Sequence, residues 1–283
     1  MFRTGDHRYV RAISETAHWA AVYRAHESNR RDALFRDPFA RLLVSDYRTD
    51  SLPCGNRNTW SLAVRTFLID KFVRSEIHRG ADMVINLAAG LDTRPYRMAL
   101  PASLRWIEVD FPQVLRYKNK VLGNRRPNCA LDRIPLDLAE VADRSDLFRF
   151  LGRQARNALV ITEGLLIYWN PRTVASLARD LSNFRNLNRW VLDLASPPIL
   201  RAFQRDVGEQ LGQAGPPPRF GPKNGPRFFV QHGWQPVVVR SVIKTADRFN
   251  RLPARLRGIA RTPEFKGREG RQPWSAVCLL AQH

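Results

Sequence analysis

Two hydrophobic periods divide this chain. Near the start, Ala17, Trp19 or Ala20, and Tyr23 recur at three-to-four spacing within Thr16–Arg24, and Phe39, Leu42 and Leu43 do so within Phe35–Val44. A third run, Thr59–His78, carries Leu62, Phe67, Leu68, Phe72, Val73 and Ile77. This spacing predicts three amphipathic helices. Pro38 falls where a first-turn proline is tolerated, a Pro/Gly/Asn-rich break spans Pro53–Asn58, and Gly80 supplies a C-cap.

From Asp82 the pattern changes to short apolar runs: Met83–Ala88, Leu104–Val109, a weaker Ala130–Leu136, Ala158–Thr162 and Trp190–Ala195. Helical stretches at Pro95–Ala99, Pro112–Leu122, Ser145–Gln154 and Pro171–Phe184 lie between them. Apolar strands alternating with helices predict a parallel, doubly wound sheet covered on both faces. The chain therefore reads as a helical N-terminal cap over 1–80 and one α/β domain over 81–283. A Pro- and Gly-rich stretch, Pro197–Gly225, marks an insertion or lid within 196–233, and strand-like runs follow at Gln235–Val242 and Trp274–Ala281.

Composition adds one anomaly. Among 283 residues, 46 Lys and Arg against 26 Asp and Glu leave a formal charge of +20. Such a balance raises nucleic acid or an anionic surface as a partner. Only six of the basic residues are Lys, and the forty Arg are spread over every segment, as a GC-rich coding bias would also leave them. The concentrated stretch is 248–271, where eight basic residues against Glu264 and Glu269 give +6. Cys54, Cys129 and Cys278 are far apart, which suggests neither a disulfide framework nor a zinc site. With no apolar signal region after Met1–Arg11 and no run long enough to span a bilayer, the expectation is a soluble cytoplasmic protein, with no metal and no membrane partner.

In an open α/β sheet, ligands sit beyond the carboxyl ends of the strands, so the residues that follow each apolar run carry the information. After the first comes Ala88-Ala89-Gly90-Leu91-Asp92-Thr93-Arg94, with one glycine in the loop and no G-x-G-x-x-G spacing for a dinucleotide. Asp110, twenty residues past Gly90, ends the second run where an acidic group accepts from ribose hydroxyls; the same residue could instead cap the helix at Phe111-Pro112. Asp137-Leu138 follows the third. Glu163-Gly164 follows the fourth inside the apolar run Ile161–Trp169, where a carboxylate needs a partner or a site.

The stretch Arg65–Asp110, the "GLDTR…Y" loop, the "EVD.P.V…K" segment at Glu108–Lys118 and "EGLL.Y" at Glu163–Tyr168 together resemble the leucine carboxyl methyltransferase family, which includes bacterial polyketide O-methyltransferases. "TAHWAAVYRAHES" and "LFRDPFA" look like that family's N-terminal helices, so the resemblance covers most of Thr16–Ala195 and thins afterwards to "HGW" at His232–Trp234. It implies a seven-stranded Rossmann-like methyltransferase sheet with extra N-terminal helices and an insertion between strands five and six that shapes an acceptor pocket. It also implies S-adenosylmethionine as cofactor. Carried onto matching positions, Arg65 would pair with the methionyl carboxylate, as a guanidinium fork suits. Ala88 and Gly90 would line the loop under the methionine moiety, Asp110 would hold the ribose, Asp137 and Leu138 would flank adenine, and Glu163 would face the amino group. Tyr168 would stand nearer the acceptor as the catalytic candidate. The family shows Gly-x-Gly where this chain has Ala88-Ala89-Gly90, so a methyl group stands at the first glycine position. If that position requires φ above zero, cofactor binding would weaken.

The implied reaction is methyl transfer to a carboxyl or phenolic oxygen of a small-molecule acceptor, for which an anion is the natural candidate. A carboxylate is already ionised at pH 7 and needs no base. His18, His26 and His232 are the candidate bases for any other acceptor. Two alternatives stand beside this reading. One is a nucleic-acid-binding protein or nucleic-acid methyltransferase using 248–271, a segment with only Phe249 and Phe265 as interleaved aromatics. The other is a nicotinamide-dependent oxidoreductase, for which the glycines are missing.

Overall fold

The computed structural model describes residues 7–45, 59–211, 218–261 and 273–283. The break at Pro53–Asn58, Pro216, Pro217 and the basic positions 262–271 lie outside the described residues.

Among these residues seven strands form one sheet, in the order β3-β2-β1-β4-β5-β7-β6. They are β1 (Met83–Leu87), β2 (Arg105–Asp110), β3 (Ala130–Pro135), β4 (Ala158–Thr162), β5 (Arg189–Ala195), β6 (Trp234–Ser241) and β7 (Ser275–Gln282). The first five are parallel, while β7 runs antiparallel between β5 and β6. β1 and β4 are buried at every position, which is why their sequences read as unbroken apolar runs instead of alternating ones. The one polar side chain in β1, Asn86, donates to Asp92 at 2.7 Å.

Helices α1 (His7–Ser28), α2 (Pro38–Leu43), α3 (Thr59–His78), α4 (Arg94–Arg97), α5 (Pro112–Leu122), α6 (Val141–Gln154), α7 (Pro171–Ser182), α8 (Pro197–Leu211), α9 (Val242–Arg248) and α10 (Arg257–Ala260) complete the chain. One sheet face packs Ile85, Val160, Trp190 and Cys278 against Phe148 of α6 and Leu177 and Leu181 of α7. The other packs Val84, Trp106, Ile161 and Val277 against Val64, Ile69 and Val73 of α3 and Ile243 of α9. Thus α3, grouped by sequence with the N-terminal helices, covers the sheet, while α1 and α2 rest on Leu91, Tyr96 and Leu122. The α8 helix and the 3-10 turn Gly225–His232 fill the interval between β5 and β6, the place expected of the insertion.

Local signals explain the helix starts and stops. Asp37 caps α2 by accepting from Ala40 N, Asn170 caps α7 through Thr173 N, and Ser241 caps α9 through Lys244 N. Gly80 takes φ +97° after α3, as its C-cap role requires. Cys129 and Cys278 are buried and free, and burial pushes the Cys129 thiol up to about 11. Among the described residues no helix is long and apolar enough to cross a membrane, and no group of His, Cys, Asp and Glu is placed to hold a metal ion.

Candidate functional site

The carboxyl ends of β1, β2, β4 and β5 open into a cavity of about 510 Å³, roofed by α1, α3 and α8. Arg65, Ala88, Gly90, Asp110, Glu163 and Tyr168 all line it. Asp137 and Leu138 do not. Leu138 is 5% exposed within the core and its carbonyl accepts from Arg144; Asp137 caps the following turn by accepting from Ala139 N at 2.9 Å, and burial raises its pKa. Both follow Pro135, the residue paired with Asp110 across β2 and β3.

The loop after β1 is shaped by two left-handed residues. Gly90 has φ +50°, and a Cβ there would stand 3.3 Å from Ala17 Cβ, so glycine keeps the loop and α1 in contact. Ala88 has φ +55°. The first-glycine position therefore does demand positive φ, and the alanine methyl is held in a conformation that costs roughly 1–2 kcal/mol. From this loop Gly90 N donates to Asp110 Oδ2 at 2.6 Å, and Phe111 N donates to Asp110 Oδ1 at 2.7 Å. Among the described residues no basic side chain is bonded to Asp110. Burial pushes its pKa up to about 6, against the opposing pull of these two N–H groups and of Lys118.

Behind this loop runs a chain of buried ion pairs. Arg94 Nη1 lies 2.8 Å from both Asp92 Oδ2 and Glu163 Oε2, and its Nε donates to Asp70 at 2.7 Å. Asp70 is also gripped by Arg97, which approaches Asp37, and Asp37 in turn accepts from Arg24 at 2.8 Å. At the other end Arg65 Nε donates to Glu163 at 3.0 Å and Arg65 Nη1 to Asp193 at 3.2 Å. Desolvation opposes charge throughout. The partners win: Arg94, Arg97 and Arg65 are held above their usual pKa by facing carboxylates, and Asp92, Asp70 and Glu163 below theirs by facing guanidiniums. Asp37, Asp70, Asp92, Glu163 and Asp193 outnumber Arg24, Arg65, Arg94 and Arg97 by one, so the linked set keeps one negative charge.

Gly164, at φ +69°, places its missing Cβ 3.4 Å from the Arg65 guanidinium and donates its N–H to Asp193 at 2.7 Å. Arg65 thus reaches the cavity across a glycine, and the carboxylate-glycine pair after β4 is explained. Tyr168, in the 3-10 turn Leu166–Tyr168, contacts Phe203 of α8. Burial pushes its phenol up to about 12, with Arg65 and a hydrogen bond to Thr16 pulling the other way.

No histidine lines the cavity among the described residues. His18 packs on Tyr117 at 5.1 Å, His26 is exposed on α1, and His232 lies beside Arg179 with its pKa lowered by desolvation and that charge. Sequence pattern alone assigns no role to Arg94, Asp92, Asp70 or Asp193. The signal was present, since Asp70 and Asp193 are carboxylates inside apolar runs, as Glu163 is.

Residues 17–182 match the model of the leucine carboxyl methyltransferase family. A Frankia alni protein named "Putative S-adenosyl-L-methionine-dependent methyltransferase" is 31% identical over 250 residues, covering 81% of this chain and 85% of that one. A Streptomyces coelicolor protein of the same name is 33% identical over 218 residues, covering 71% and 76%. Among solved structures, a DUF574 family protein from Streptomyces avermitilis superposes with TM-score 0.58 at 14% identity over 95% of this chain and 99% of its own. A methyltransferase-like protein from Thermobifida fusca gives 0.54 at 19% identity over 93% and 94%. These two structures share the fold. The family match covers more than half of the chain, so it belongs to the leucine carboxyl methyltransferase family and is, by that membership, an S-adenosylmethionine-dependent methyltransferase.

Proposed function

We propose that the protein methylates a carboxyl or phenolic oxygen of a small acceptor. One observation carries this reading: a single cavity joins a charged wall at the strand ends to an apolar wall with no histidine among its described residues. An acceptor that must first lose a proton would find no imidazole there, whereas a carboxylate or acidic phenol arrives ionised.

The donor set suits the cofactor. Asp110 offers a buried carboxylate to a vicinal diol, and burial leaves its pKa raised in spite of the two N–H groups bonded to it. The loop Ala88–Gly90 brings backbone close to the cavity, and the surplus negative charge of the ion-pair chain ends at Glu163 and Asp193 on its wall, where an ammonium would be received. Arg65 spends two nitrogens on Glu163 and Asp193 and presents the same guanidinium to a carboxylate. We assign the adenine edge to Leu91 and Val114, which line the cavity.

When bound, S-adenosylmethionine supplies an electrophilic methyl carbon, whose bond to sulfur breaks as the acceptor oxygen bonds to it, the electron pair leaving on sulfur. The protein's part is alignment and exclusion of water. Trp19, Tyr23, Trp169 and Phe220 dry the cavity, Tyr168 donates its neutral hydroxyl to the acceptor side, and α1, with α2 packed behind it, acts as a cap over the site. The test is incubation with methyl-labelled donor and a panel of carboxylic acids, phenols, amines and thiols, followed by mass spectrometry. Methyl esters or aryl ethers are expected, and label carried only by nitrogen or sulfur would overturn the assignment.

A further inference from the structure

Three described arginines line the cavity, and two are already neutralised. Arg24 is tied to Asp37, and Arg65 to Glu163 and Asp193. The third, Arg255, comes from the 3-10 turn Ala254–Leu256, inside the basic stretch that the sequence left without a role. It is exposed, and no carboxylate or other acceptor pairs with it among the described residues. Its neighbour Arg251 behaves differently: it is bound to Glu27 and Asp32 and serves to anchor the segment.

The surroundings of Arg255 on the cavity wall are apolar. Leu256 and Ile259 come from the same segment, Trp60 from α3, and Val242 and Ile243 from α9. Four carboxylates, Asp92, Asp110, Glu163 and Asp193, line the strand-end wall. An anion entering the cavity is therefore repelled at that wall except where Arg65 stands, and meets at Arg255 a cation that no described carboxylate pairs with. The planar fork matches a carboxylate with two parallel hydrogen bonds, and the apolar neighbours on the cavity wall suit an acid's hydrocarbon part.

We propose that Arg255 captures the carboxylate of an apolar carboxylic acid and so determines which acceptors enter. This rests on the methyl-transfer reading above and narrows its acceptor to an amphipathic acid. It also gives one member of the basic stretch a task that needs no nucleic acid.

The experiment is calorimetric titration of the full-length protein, with and without S-adenosylhomocysteine, using dodecanoate, phenylbutyrate and naphthoate, each beside its primary amide. Wild type is compared with Arg255→Ala, Arg255→Glu and the exposed off-cavity control Arg257→Ala. At least one acid is expected to bind wild type more tightly than its amide. Arg255→Ala should weaken that acid about tenfold, the worth of one charge-assisted hydrogen-bonded pair, and Arg255→Glu further. Amide binding, S-adenosylhomocysteine binding and the Arg257→Ala variant should stay at wild-type values. Equal binding of acids by wild type and Arg255→Ala, or no acid preferred over its amide, overturns the proposal. If S-adenosylhomocysteine fails to bind wild type, the methyl-transfer reading falls, while the acid-to-amide comparison without it still decides the role of Arg255.

Discussion

Gly90 and Asp110 are joined across the ends of two neighbouring strands, the glycine N–H donating to the carboxylate at 2.6 Å. That bond fixes the side chain that the cavity presents at the end of β2, yet burial still pushes its pKa up to about 6 from 3.8. Between those two values the folded chain binds more protons than the unfolded one, so Asp110 lowers stability as pH rises through the window. The loss is on the order of 2–3 kcal/mol, complete above about pH 6 and absent below about pH 4. Thermal melts from pH 4 to 7 should show this component in wild type and not in Asp110→Asn. Affinity for S-adenosylhomocysteine should climb over the same window in wild type as the carboxylate ionises, and stay low and flat in the variant. Parallel profiles for the two proteins would refute the assignment.

Ala88 holds φ +55°. Replacing it with glycine removes the left-handed penalty but restores freedom to the unfolded chain, so Ala88→Gly should gain about 0.5–1 kcal/mol and raise Tm by a few degrees. Ala88→Val, branched at Cβ, should lose about 2 kcal/mol. Denaturant unfolding of the pair measures both.

Removing Arg94 strands Asp70, Asp92 and Glu163 without their shared cation. Arg94→Ala should cost about 3–5 kcal/mol in urea unfolding, the range for breaking a buried pair from one side. Arg94→Lys should recover little of it, because one ammonium cannot reproduce a fork that meets three carboxylates.

The phenol of Tyr168, pushed up to about 12, stays protonated at every working pH. On the proposed function its contribution is a hydrogen bond, not proton removal. Tyr168→Phe should lower kcat/KM about 3–10-fold while leaving the shape of the pH–rate profile between 7 and 9 as in wild type. A lost basic limb in that range would assign the phenol to acid–base work.

Strand and helix limits were legible in several elements: Thr59–His78, Pro112–Leu122 and Ala158–Thr162 coincide with α3, α5 and β4 end for end. Their periods are unambiguous because one face, or both, meets the core. The order of strands was not readable from pattern, since the apolar runs of β5 and β7 say nothing of which neighbour each takes. At the site, Gly90, Asp110 and Glu163 stood out because each follows an apolar run. Arg94 did not, although it ends the quoted loop motif, because a buried arginine among forty looks like any other until Asp70, twenty-four residues earlier, is brought to it by folding. Arg255 illustrates the converse: charge density marked the segment, and only the cavity distinguishes this arginine from Arg251.

The antiparallel strand Ser275–Gln282 lies between Arg189–Ala195 and Trp234–Ser241. Among the described residues the strand latest in sequence is thus an interior one, and without it β5 and β6 would each present an open edge. Both edges are templates for pairing with other chains. A stop codon before residue 275 should therefore yield insoluble protein instead of a weakened enzyme, since it removes the strand that joins β5 to β6.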